Sequence, residues 1–302
     1  MIELFGNLGE SLGMPVIASS HGLILDQMSG WVHWLMIILF VGWGIFFIVT
    51  LFKFGIISNG KVARDGVQSH VSTYSEYAII VVEAFLLVSF AIPLWSLTKT
   101  DIPDTTEDTV EVRVVAQQFA WNIHYPGVDG KFGRTYASLV DEETNSIGLD
   151  RSSPHGADDI VTINQMHLPV DKQTIIYLSS KDVIHSFSLP EMRVKQDAIP
   201  GMSTPIFFTP TMTSEEFLEE IENTERYNPK YSFYGLGKET WDSLDSSQKN
   251  PYRGLQIACA QLCGNSHYKM RGFLTIDTED EYNAWLDEEA ELLEEEGDDD
   301  DW

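Results

Sequence analysis

Two thiols, an imidazole and a thioether fall within twelve residues from Cys259 to Met270, spaced C-x3-C-x3-H-x2-M. Cys259 and Cys263 are the chain's two cysteines, and His267 and Met270 complete the run. Thiolate, imidazole and thioether form a soft donor set that suits copper and disfavours a hard cation. A mononuclear electron-transfer copper takes one Cys, two His and a weak Met. Here a second Cys follows the first by four residues, so two sulfurs could bridge two ions. One more imidazole is then needed, and Asp182-Val183-Ile184-His185-Ser186-Phe187 offers it from an apolar, strand-like run. The plain alternative is a disulfide, which an oxidising compartment favours. It leaves His267, Met270 and His185 without a reason to arrive together.

The elements that must position these donors divide into a membrane part and a β part. Trp31 to Phe52 is a run of 22 residues without formal charge. At the helical rise it spans about 33 Å, enough for a hydrocarbon core. Trp31 and Trp34 stand where an aromatic belt lies. Tyr77 to Trp95 is a second run, of about 28 Å, expected to end at Pro93 and Trp95. The two predict a helical hairpin over 31–98, preceded by an N-terminal segment, 1–30, that lacks the basic start of a signal peptide. The connection carries Lys53, Lys61 and Arg64 against Asp65 and Glu76, which puts it in the cytoplasm and both termini outside. Glu83, inside the second run, is expected to face protein or water, and His33 to be a packed interfacial histidine.

After the polar linker Lys99–Thr109, about seven short strand candidates separated by turns span 104–285, with the donors on the loop between the last two. Val110–Val114 alternates as a half-buried strand, and Ile160–Ile163 and Thr174–Leu178 follow, with Asn164–Pro169 read as their connector. Leu255–Ala258 leads into the donor loop and Gly272–Ile276 leaves it. This pattern predicts a two-sheet sandwich. Residues 126–159 and 210–252 read as insertions, the second opening with a T-x-x-E cap at Thr213 and an apolar pair, Phe217 and Ile221. His124 and His167 are spare imidazoles that could compete as ligands, and His155 is expected to be exposed and unliganded. The tail, 286–302, reads as a solvated acidic segment with no core-forming pattern after Leu293.

Net charge is −27, from 19 basic against 46 acidic residues, which excludes binding to nucleic-acid phosphates and favours cationic partners. No C-x-x-C-H occurs, so the chain carries no covalent haem of its own.

The donor loop taken with Asp182–Phe187 resembles the binuclear copper A domain of cytochrome c oxidase subunit II. The resemblance covers roughly residues 30–100, 110–125, 160–205 and 255–285. It implies a cupredoxin-like sandwich behind a two-helix transmembrane hairpin, in a bacterial inner membrane with the copper domain periplasmic. By that resemblance Cys259 and Cys263 bridge two coppers; His185 and Met270 complete one, His267 and the Gln261 carbonyl the other. It also implies partners: oxidase subunit I, further oxidase subunits and a c-type cytochrome donor, with electrons passing to haem in subunit I. Ala116–Tyr125 resembles the aromatic patch through which electrons enter, which assigns that role to Phe119 and Trp121. Phe119 replaces the family's usual tryptophan, and His124 stands where an acid of the docking patch is usual. Those departures point to a different or permanently bound donor.

Glu76, 17 residues before Pro93, matches the acid at the mouth of a proton path. Asp182 matches a carboxylate beside the copper histidine, and Lys195 with Asp197–Gly201 matches a surface facing subunit I. Gln261 replaces the family's glutamate, whose carboxylate binds magnesium at that interface. A neutral amide is a poorer ligand for a hard cation, so magnesium there is doubtful. Two other readings share parts of the pattern: the copper A subunit of a nitric oxide reductase keeps the same loop, and a copper-free quinol oxidase scaffold should lack the cysteines. A stand-alone mononuclear cupredoxin fits neither the second cysteine nor the hairpin.

Overall fold

The computed structural model describes residues 14–56, 69–106, 108–223, 243 and 254–299. These form two compact units, one holding the helices between Leu23 and Thr100, the other built from Pro15–Gly22 and the chain from Asp101 onward.

In the first unit, helix α1 (Gly22–Thr50) runs into a π-helical turn, Leu51–Ile56. Helix α2 (Val71–Leu86) continues through a π-helical stretch, Leu87–Ala91, then Ile92–Trp95 and a last wide turn, Ser96–Thr100. The apolar helical lengths are 33 and 30 residues, with mean hydropathies of 2.7 and 2.3. Phe40, Trp43, Phe46, Val81 and Trp95 all stand exposed. Side chains this apolar and this exposed suit lipid, and both helices are long enough to be membrane spans. The expected stop at Pro93 is not observed. A proline removes one helical donor and crowds the carbonyl four residues back, and here that carbonyl falls in the widened turn, which lets the helix continue. His33 Nδ1 bonds the Ser29 carbonyl at 2.7 Å, as a packed interfacial histidine should. The connection bearing Lys61, Arg64 and Asp65 lies outside the described residues, as does most of 224–253.

The second unit is a sandwich of two five-stranded sheets. One orders β3 (Ile160–Ile163), β2 (Ala120–Tyr125), β1 (Val110–Gln117), β5 (Thr174–Ser180) and β8 (Thr204–Phe208). The other orders β4 (Gln165–Pro169), β10 (Arg271–Asp277), β9 (Gln256–Cys259), β6 (His185–Leu189) and β7 (Val194–Ala198). Parallel pairs β1–β5 and β4–β10 close each sheet over long connections; the other pairs are antiparallel. Alternating side chains from both inner faces, among them Val112, Val114, Ile176, Leu178, Phe187, Ile257 and Leu274, fill the core. The architecture is the cupredoxin-like sandwich behind two apolar helices that the sequence predicts.

Three expectations change. Among the described residues ten strands form rather than about seven, and Gln165–Pro169 is a strand instead of a connector, because its partner β10 lies more than a hundred residues away. The tail is not featureless. Helix α4 (Glu279–Asp299) starts within 104–285 and carries Trp285, Leu286 and Leu293 against the core. Its start is fixed by a second T-x-x-E box, with Thr278 and Glu281 exchanging hydrogen bonds. The box at Thr213 and Glu216 forms as predicted and opens α3 (Ser214–Asn223), which buries Phe217 and Ile221.

Candidate metal centre

Sheet register puts the predicted donors at one end of the second sheet. His185 is the first residue of β6 and Cys259 the last of β9, and these strands pair antiparallel with Phe187 opposite Cys259. The Ala260 amide continues the ladder to the Ser186 carbonyl at 2.9 Å. The loop then folds on itself, ending in a 3₁₀ turn at His267–Lys269 before Met270 enters β10. In that turn the Lys269 and Met270 amides bond the Ser266 and His267 carbonyls, which fixes the His267 and Met270 side chains.

The six atoms expected to hold copper converge. The two sulfurs stand 3.8 Å apart, well beyond the roughly 2.04 Å of a disulfide. Cys259 Sγ lies 3.9 Å from His185 Nδ1 and 3.2 Å from the Gln261 carbonyl oxygen. Cys263 Sγ lies 3.4 Å from His267 Nδ1 and 3.7 Å from Met270 Sδ. His185, Cys263 and Met270 are buried, whereas Cys259 and His267 are half-buried. Among the described residues, His185, Cys259 and Cys263 are the group whose ligand atoms all lie within 4.8 Å of one another. Two unbonded thiols flanked by two imidazoles, a thioether and a carbonyl fit a soft metal pair.

Electrostatics favour deprotonation of one sulfur in the metal-free protein. Burial opposes charge on Cys259, but His185, the backbone at Ser186 and Gln261, and the Cys263 thiol outweigh it and bring the pKa down to about 6. Burial, with the adjacent Cys259, pushes Cys263 up to about 11. Burial likewise resists a charge on His185, yet Cys259 and Asp182 raise its pKa overall. Asp182 Oδ1 accepts from His185 Nε2 at 2.8 Å, which leaves Nδ1 facing the sulfurs. Burial works against the Asp182 carboxylate, but His185 and the Gln118 and Val183 amides hold its pKa below the usual value.

The other predicted residues fall in different places. Trp121 is fully buried, edge-on to the His185 ring at 6.3 Å and to Phe187 at 5.5 Å. Phe119 is partly exposed, and its ring sits where a side chain on Gly264 would point. Lys195 and Asp197 stand on the exposed face of β7. Glu76 lies on α2 in the other unit and is exposed there. The spare histidines are held away from the cluster. His124 bonds Asp159 in the interior, His155 bonds Asp129, and His167 bonds Asp277 at 2.7 Å while stacking on Trp285 at 4.3 Å. Sequence reasoning gave Gln118 no role, although its side chain reaches the loop; that contact crosses 145 residues and leaves no local signal.

Known proteins resemble this chain over much of its length. Residues 110–214 match the model of the cytochrome c oxidase subunit II periplasmic domain, a stretch that includes His185 and stops before the cysteine loop. An alternative cytochrome c oxidase subunit 2 of Bradyrhizobium diazoefficiens is 33% identical over 183 residues, 60% of this chain and 52% of that protein. Cytochrome c oxidase subunit 2 of Cereibacter sphaeroides is 25% identical over 275 residues, 85% of this chain and 75% of its own length.

The chain is similar to subunit II of cytochrome c oxidases, and residues 110–214 match that subunit's periplasmic domain.

Subunit II relatives extend beyond the matched region, and the chain spans 52% and 64% of the first two. A heme-copper oxidase subunit 2 of Aeropyrum pernix is 22% identical, covering 84% of this chain and 88% of that one. Among solved structures, the periplasmic domain of subunit II of cytochrome oxidase from Bradyrhizobium japonicum is 19% identical. It covers 64% of this chain and 99% of that one at a TM-score of 0.37.

Proposed function

We propose that this chain is the subunit through which electrons enter a haem–copper cytochrome c oxidase, taken from a c-type cytochrome and delivered to haem in subunit I. The observation that supports it most is the convergence of two imidazoles, a thioether and a backbone carbonyl on two unbonded sulfurs in a sandwich that follows two apolar helices. Cys259 and Cys263 would bridge, with His185, Met270, His267 and the Gln261 carbonyl as terminal ligands. A binuclear copper centre held there supplies reversible one-electron chemistry with its charge spread over both thiolates. The protein's part is to hold those ligands in nearly one geometry for both oxidation states, and a sandwich with strand-anchored ligands does that. Asp182 keeps the His185 ring turned toward the sulfurs.

Phe119 forms the partly exposed edge that meets the donor, and Trp121 is the buried aromatic between that edge and His185. Glu76, at the cytoplasmic start of α2, marks the mouth of a proton path into subunit I. Both termini and the β unit lie on the periplasmic side of a bacterial inner membrane, as the basic connection directs. The loop also suits the copper A subunit of a nitric oxide reductase, and turnover of oxygen against nitric oxide by the purified complex separates the two. The test of the centre itself is electron paramagnetic resonance of the oxidised, copper-loaded protein. A seven-line hyperfine pattern reports one electron shared by two equivalent coppers, and a four-line pattern, one copper, sinks the reading.

A further inference from the structure

The Gln118–Phe119 turn joins β1 to β2 in the first sheet, yet it touches both halves of the donor cluster in the second. The Gln118 backbone N–H donates to Asp182 Oδ2 at 2.7 Å, and the other oxygen of that carboxylate holds His185. The Gln118 side-chain Nε2 donates to the carbonyl of Cys263. The first arm needs only a backbone amide, whereas the second needs a side-chain donor of this length.

Cys259 has its place from the β6–β9 register, but Cys263 lies four residues into the loop, beyond strand pairing. Its peptide is held from across the sandwich. Gly264 makes room for that hold: its φ of +140° is a glycine conformation, and a Cβ there would lie 2.7 Å from Gln118 Nε2 and 3.0 Å from the Phe119 ring. We infer that Gln118 is a positioning residue: its amide fixes the Cys263 peptide, and so the second sulfur relative to the first, while its N–H steadies His185 through Asp182. The inference rests on the two-copper reading above and names a residue that keeps the two sites equivalent.

The test uses the full chain purified in detergent, loaded with copper, as wild type, Gln118→Ala and Gln118→Glu. Glutamate has the same shape but cannot donate to a carbonyl when ionised. Both variants retain the backbone arm. Losing one hydrogen bond at a half-solvated site corresponds to a change of about two- to tenfold. Both variants should therefore release copper to a chelator about two- to tenfold faster. Their hyperfine lines should become unequal, while the apoprotein melts as wild type does. Gly264→Ala, with Gln118 intact but displaced, should reproduce both changes. Unchanged release and spectra in the Gln118 variants would overturn the inference, as would a lower apoprotein melting temperature with an unaltered spectrum. A wild type without the two-copper signal overturns the reading beneath it instead, so the two failures are told apart.

Discussion

Asp182 and His185 are bound side chain to side chain at 2.8 Å, with the carboxylate on Nε2 and the sulfurs on the Nδ1 side. That contact selects the ring orientation before any metal arrives. Removing the partner of a ligating histidine typically weakens metal affinity by about 10- to 100-fold. Asp182→Ala should weaken copper binding by roughly that factor in chelator competition. Cys259 is set by the strand register and the Cys263 peptide by the Gln118 side chain, so neither sulfur depends on the Asp182 carboxylate for its place. Wild-type affinity in the variant would show that the loop alone orients the ring.

The two cysteines differ in the metal-free protein although they are chemically identical. Cys259, at about 6, is a thiolate at neutral pH; Cys263, at about 11, stays a thiol. Thiolates alkylate and thiols do not. Iodoacetamide on the reduced apoprotein at pH 7 should therefore label Cys259 first. The labelling rate should fall as pH drops through about 6, rather than near the ordinary thiol value. Peptide mapping by mass spectrometry reads the order, and earlier labelling of Cys263 contradicts it. Loading with copper should remove the difference and release a proton from Cys263, since a metal ligand must be the thiolate.

His124 and Asp159 carry the insertion on the sandwich. Asp159 is fully buried, and besides His124 its carboxylate accepts the Gly127 and Gly133 amides at 3.1 and 2.7 Å. Asp159→Ala strands these donors and should cost about 1–3 kcal/mol for each one left unsatisfied. Burial lowers the His124 pKa below the ordinary 6.5 of a histidine, more than Asp159 raises it. The unfolded chain then takes up this proton before the folded one. Stability should fall as pH drops below about 6.5 and level off once the folded histidine is also protonated. Denaturant midpoints across pH 5–8, with His124→Gln flattening this component, check the sign.

What the sequence made legible follows from how local each signal is. The donor cluster was legible because five of its six residues lie within twelve positions and the sixth sits in a distinctive run. The hairpin read well because lipid demands long apolar runs, though the ends did not, since the wide turn that admits Pro93 has no sequence mark. Strand β4 was lost because Met166 and Leu168 alternate only briefly and their partners Leu274 and Ile276 are remote. Helix α4 had a signal that its acid count obscured: Tyr282, Trp285, Leu286 and Leu293 share one face at helical spacing, and Thr278 and Glu281 announce its start. Trp285 then stacks on His167 and meets Tyr125 edge-on, which ties the acidic helix to β4 and β2.

Gln261 sets a last expectation. Its backbone carbonyl lies 3.2 Å from Cys259 Sγ, within the donor cluster, while the residue itself is exposed. The carbonyl is independent of the side chain, so copper loading should survive Gln261→Glu unchanged. The side chain decides the hard cation: an amide oxygen is neutral, and a carboxylate ligates magnesium or manganese far better. In the oxidase complex proposed above, the wild type should hold little magnesium at this position, and Gln261→Glu should gain a manganese signal readable by electron paramagnetic resonance. Stoichiometric magnesium on the wild-type glutamine would show that partner groups at the subunit interface suffice without a carboxylate from this chain.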